Sequence, residues 1–138
     1  MKLTHTVGLV LIKNGKVLLV RNGEKSKHPT GTYGLPAGRI ESKETPEEAI
    51  IRETKEETGL TVKNLRVVGK YFAKLKRKEG VEPMDMIAFF AEDFAGELRG
   101  EPEVTEPVWV DLERIGRYRL VQNVEKVIKD AFNKFKRD

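Results

Sequence analysis

Glu53, Glu56 and Glu57 lie three and four residues apart in the stretch "RETKEETG". At about 100° per residue they share an arc of a helix roughly 100° wide. Like charges at this spacing repel by about 0.2–0.5 kcal/mol per pair. A divalent cation reverses that sign, because carboxylate oxygens are the ligands a hard ion such as Mg²⁺ or Mn²⁺ prefers. Arg52 stands four residues before Glu56 and is placed to orient it. Taken alone, the stretch also reads as a solvated acidic helix face. The chain has no cysteine, so any metal must sit on oxygen or histidine. His5 and His28 lack a second histidine at ligand spacing, and neither is assigned to metal.

The elements that must position these side chains are legible. Thr45 is a good N-cap, Pro46 suits the first helical position, and Glu48 completes a capping box. The helix is expected to run to Thr58 and to end at Gly59. Ile50, Thr54 and Ile51 flank the carboxylate arc as a small packing face. Upstream, Asn14-Gly15 predicts a tight hairpin between strands 4–12 and 16–21, both apolar enough for a sheet covered on two faces. "NGEKSKHPTGTYGLPAG" is a long loop, a feature that compact domains keep for function. "LRVVGKYFAKL" and "MDMIAFFAEDF" read as strands joined by the basic turn "KRKEGVEP"; Lys74, Lys76, Arg77 and Lys78 read as a solvated hairpin tip, with a polyphosphate or RNA contact as the alternative. "EPVWVDL" is a short strand. "LVQNVEKVIKDAFNKF" is an amphipathic helix with Val121, Val124, Ile128, Ala131 and Phe135 as its stripe, widened by Val127 and Phe132.

At 138 residues the chain suits one domain with a real core, spanning 1–138. The formal charge of +4 suits an anionic ligand and is too small to argue for nucleic acid. No apolar run is long enough for a membrane span, and the start does not read as a signal peptide, so the expected location is cytoplasmic. The element order predicts an α+β protein: one mixed sheet with helices on its faces.

Gly38, Glu44 and "RETKEETGL" resemble the Nudix box, the signature of hydrolases acting on a nucleoside diphosphate linked to another group. Gly38, Glu44, Arg52, Glu53, Glu56, Glu57, Gly59 and Leu60 match that pattern in register. The departure is Thr54, where an aliphatic residue is usual. "TYGLPAGRIE" is similar to the family's approach to the box, with Ala37 in place of a glycine. The resemblance implies an α/β/α sandwich and a metal-dependent pyrophosphohydrolase using Mg²⁺ or Mn²⁺. It implies Glu53, Glu56 and Glu57 as metal ligands, with the Gly38 carbonyl added and Glu44 in support. The general base differs between branches of the family: Glu53, or an acid outside the box, for which Glu106 and then Glu103 are the candidates.

The resemblance also suggests substrate contacts. Arg21 ends the second strand near the family's phosphate site. Asn123 is similar in place to an asparagine that reads a purine edge in MutT-like relatives, and it also suits a helix cap. Tyr33 is a stacking candidate, with a core position as the alternative. A MutT-like nucleoside triphosphate pyrophosphohydrolase, yielding the monophosphate and pyrophosphate, is the first choice. "LPAG" leans toward an ADP-ribose or nucleotide-sugar pyrophosphatase, but the proline such enzymes carry beyond the box is absent, Lys76 standing there. The tyrosine that a dinucleoside polyphosphate hydrolase carries in the same region is also absent, Arg77 and Lys78 standing there and Tyr71 coming too early. A nucleotide-sensing or RNA-binding module without catalysis is the alternative of another class, and the intact glutamates weigh against it. The expected partner is a small nucleotide, with the chain as a monomer or homodimer.

Overall fold

A computed structural model describes residues 2–136. Strands β1 (Thr4–Lys13) and β2 (Lys16–Asn22) form the N-terminal hairpin. Asn14 and Gly15 both take positive φ, 52° and 75°, as a two-residue turn with the twist of its strands requires. Two short strands follow, β3 (Tyr33–Gly34) and β4 (Ala37–Arg39), then helix α1 (Pro46–Thr58). Next come β5 (Thr61–Lys63), the long pair β6 (Arg66–Arg77) and β7 (Gly80–Ala91), and β8 (Asp93–Ala95). Strand β9 (Thr105–Asp111), a 3-10 helix (Leu112–Arg117) and helix α2 (Val124–Phe135) complete the described chain.

β1 runs parallel to β7 and antiparallel to β2, so the sheet is mixed. Its order is β3-β2-β1-β7-β6, with β4 pairing β1 and β9 pairing β2. Side chains alternate across a strand, so β1 feeds two cores. Val10 and Ile12 join Val127, Ile128 and Ala131 of α2 on one face. Val7, Leu9 and Leu11 join Ala49 and Ile50 of α1 on the other. This is the expected α/β/α sandwich.

Three expectations need correcting. "KRKEGVEP" is not a loop: pairing continues to Arg77 opposite Gly80, leaving only Lys78 and Glu79 as the turn. Phe132 is 41% exposed and Ile51 37% exposed, so neither belongs to its helix's packing face. The small sheet of β5 and β8 and the 3-10 helix had no clear signal, being short and lacking strong periodicity.

The buried face of α1 is instead Ala49, Ile50, Thr54 and Thr58. Thr54 is wholly buried, and its hydroxyl finds no hydrogen-bond partner among the described residues. Thr54→Val keeps the branching and removes the orphan hydroxyl. It is expected to raise stability by about 1 kcal/mol, read as a higher urea midpoint with unchanged slope. An unchanged or lower midpoint would show that the hydroxyl is satisfied in solution.

Candidate active site

Helix α1 starts as its cap residues demand. The Thr45 side chain accepts from the Glu48 N–H at 3.1 Å, and the Glu48 carboxylate accepts from the Thr45 N–H at 2.9 Å. Gly59 closes the helix in the left-handed region, at φ 83°. The helix is also laced to β4 by its acids. The Ala37 N–H donates to Glu57 Oε1 at 2.8 Å. Gly38, paired with Val7 of β1, lies directly against Glu53, and a Cβ there would overlap the Glu53 carboxylate. Glycine is needed here for close approach rather than for a special φ.

Arg52 is the hub of the cluster. It forks onto Glu44 through Nε at 2.7 Å and Nη2 at 2.9 Å. Nη1 donates to Glu53 at 2.6 Å, and Nη2 to the Arg39 carbonyl at 3.0 Å. Glu56, which Arg52 was expected to orient, is a weaker partner at 3.3 Å. The hydrogen bonds from Arg52 pull the Glu44 pKa down to about 2. Glu53 is raised because burial outweighs the hydrogen bond from Arg52. Burial pushes Glu57 up to about 8, against the pull of the Ala37 N–H, and Glu53 and Glu56 push it further.

Among the described residues no three acids or histidines are drawn together as a ready ligand cluster, since Arg52 holds Glu53 and leans on Glu56. The residues nevertheless fit a hard divalent ion. The donors are oxygen only, two of the carboxylates resist ionisation where they stand, and among the described residues no donor reaches Glu57 Oε2. A cation beside them would restore their charge.

Glu53, Glu57 and Gly38 line a cavity of about 480 Å³. Leu75, Met84, Met86 and Val124 supply apolar wall, while Lys25, Lys27, Arg39 and Arg77 supply positive charge. The structure does not bring all the expected residues here. Arg21 is not among the walls, although its neighbours Val20 and Asn22 are, because successive strand residues face opposite ways. Glu106 sits opposite Arg21 in the β2–β9 register, exposed and away from the cavity. Glu103 pairs with Lys25 at 2.8 Å. Tyr33 packs edge-on against Tyr118 at 4.9 Å, in the core. Asn123 takes the N-cap position of α2 at φ 72°, but its side chain makes no capping bond and does not line the cavity; its Nδ2 donates to the Phe72 carbonyl at 2.9 Å.

The cavity instead gains Lys27, His28, Arg77 and Gln122. The Leu75–Arg77 alternation on β6 was a usable signal for one of them, had the strand been extended that far.

A mixed sheet between two helices, carrying a carboxylate helix against a glycine strand, is an architecture shared with solved MutT and Nudix proteins. The family model described as NUDIX domain matches residues 2–131, and the chain belongs to the Nudix family as a pyrophosphohydrolase. It is 34% identical over 121 residues to the ADP-ribose pyrophosphatase of Methanocaldococcus jannaschii, covering 88% of this chain and 68% of that protein. It is 29% identical to the 8-oxo-dGTP diphosphatase of Escherichia coli strain K12, over 83% of this chain and 98% of that one. It spans only 41% of the NAD-capped RNA hydrolase NudC of Photobacterium profundum, at 34% identity. A MutT NUDIX hydrolase from Burkholderia pseudomallei superposes with a TM-score of 0.82 over 94% of this chain and 98% of that one, at 23% identity, which speaks to the fold. Among the described residues no helix is long and apolar enough to cross a membrane.

Proposed function

We propose that this pyrophosphohydrolase cleaves nucleoside triphosphates to the monophosphate and pyrophosphate, with Mg²⁺ or Mn²⁺ held by Glu53, Glu56, Glu57 and the Gly38 carbonyl. The observation that carries the reading is the cavity itself. Carboxylates, four cationic side chains and an apolar wall meet in one space, which matches a highly charged phosphate chain joined to a flat, weakly polar base. The ion, when bound, neutralises phosphate charge and acidifies a water. The chain's own groups do the rest. Glu53, whose carboxylate faces the cavity and is ionised beside a bound cation, accepts the proton of the attacking water. Arg52 holds Glu53 and Glu44 in place. Gln122, rather than Asn123, offers an amide to the base edge.

ADP-ribose is the second reading, favoured by the 34% identical relative that covers most of this chain. Chromatographic product analysis separates the two. The protein would be incubated with Mg²⁺ and, in turn, normal and oxidised nucleoside triphosphates, ADP-ribose, nucleotide sugars and dinucleoside polyphosphates. Monophosphate plus pyrophosphate from a triphosphate is the expected result. Preferential release of AMP from ADP-ribose would replace the first reading with the second.

A further inference from the structure

Arg77 was expected at a solvated hairpin tip. Only 17% of its side chain is exposed, and it lines the same cavity as Glu53 and Glu57. Its Nε lies 3.2 Å from Glu82 Oε1, across the β6–β7 hairpin. Glu82 is held in turn by the Thr4 hydroxyl at 2.8 Å and by Arg39 Nη2 at 3.0 Å. Arg77 Nη1 lies 3.0 Å from His28 Nε2. A guanidinium can only donate, so Nε2 accepts and the ring proton sits on Nδ1. The ring is neutral, since burial and the Arg77 charge push its pKa down to about 4.

The loop carrying His28 is itself pinned. The His28 N–H donates to Ser26 Oγ at 3.2 Å, and Ser26 Oγ donates to Asn22 Oδ1 at 2.8 Å. Lys78 fastens the hairpin to the same loop, its N–H donating to the Lys27 carbonyl at 3.1 Å and its Nζ to the Glu24 carbonyl at 2.6 Å.

The charges around Arg77 do not cancel. Two guanidinium groups, Arg39 and Arg77, share the single Glu82 carboxylate, and the histidine between loop and hairpin is neutral. Arg77 Nη2 makes no hydrogen bond among the described residues. A positive edge is therefore presented to a cavity whose substrate carries a phosphate chain. We infer that Arg77 is a substrate-binding residue that takes an oxyanion of that chain through its Nη2 edge, and that His28 is the positioning residue that sets the guanidinium's angle. This rests on a phosphate-chain substrate, but not on whether the chain ends in phosphate or in a sugar.

The test uses Arg77→Met, Arg77→Lys, His28→Leu and His28→Gln with whichever substrate the wild type cleaves. It also uses calorimetric titration of inorganic pyrophosphate in chelating buffer. Arg77→Met is expected to raise KM and weaken pyrophosphate binding about ten- to a hundredfold. Its kcat should stay within about threefold, because binding common to ground and transition states is lost. Arg77→Lys keeps the charge without the fork and recovers only part. His28→Gln, which retains an acceptor, should behave as wild type, while His28→Leu raises KM. If Arg77→Met does not fold, Arg77→Lys and His28→Leu carry the same readout. KM and pyrophosphate affinity within about twofold of wild type would overturn the inference, as would His28→Gln and His28→Leu changing KM equally. If only ADP-ribose is cleaved, the triphosphate reading fails while the Arg77 inference is still decided by KM and by pyrophosphate.

Discussion

A Glu57→Gln variant is expected to lose turnover by on the order of 10²–10³-fold and, in chelating buffer at pH 8, to melt at a higher temperature than the wild type. The two effects have one cause. The Glu57 carboxylate sits at the cavity wall, partly buried, and desolvation there raises its pKa to about 8. Glutamine keeps the oxygen that accepts from the Ala37 N–H, and it carries no charge to desolvate. The sign follows from linkage. The folded pKa lies above the unfolded value of 4.5, so the contribution of Glu57 to stability is fully present below about 4.5. It is lost as pH rises through about 8.

The melting difference between Glu57→Gln and wild type should therefore be small at pH 5 and widen toward pH 8. The free energy involved is on the order of a few kcal/mol. Mg²⁺ should reverse the order, since a cation favours the ionised carboxylate, and the wild type should gain more from Mg²⁺ as pH rises. Thermal melts over this pH range, with and without Mg²⁺, check the prediction. A pH-independent difference, or a variant with wild-type turnover, would remove Glu57 from the metal site.

Arg52→Met is expected to lower turnover about 10- to 100-fold with little change in KM, because Arg52 acts through the carboxylates it holds. It is the shared partner of Glu44 and Glu53, and it ties α1 to the Arg39 carbonyl. Without it, Glu44 loses the hydrogen bonds that pull its pKa down to about 2. A depressed carboxylate pKa contributes stability above its unfolded value of 4.5, and that contribution is lost as pH falls through about 2. The variant should melt below the wild type at pH 7, and the gap should narrow between pH 4.5 and pH 2. Arg52→Lys should rescue little, since an ammonium cannot fork onto Glu44. A melting gap that stays constant down to pH 2 would mean that Arg52 stabilises by packing rather than by pairing with Glu44.

By itself, the sequence determined what is local. The Thr45–Glu48 capping box, the Pro46 start and the Gly59 stop are interactions within a few residues, and α1 forms where they place it. The Asn14-Gly15 turn sets the first hairpin for the same reason. The spacing of Glu53, Glu56 and Glu57 follows from the helical period, and the box residues from Gly38 to Leu60 carried the family. Tertiary structure decided whatever depends on which way a strand faces and what lies across from it. Arg21, Glu106 and Asn123 have the right residue types near the right place, but pleat direction and the hydrogen bond to the Phe72 carbonyl turn them away from the cavity. Arg77 and His28, 49 positions apart, meet because the β6–β7 hairpin continues past its expected end and touches the loop after β2. A contact between segments so distant along the chain leaves no local signal, since the free energy that selects it comes from packing the two together.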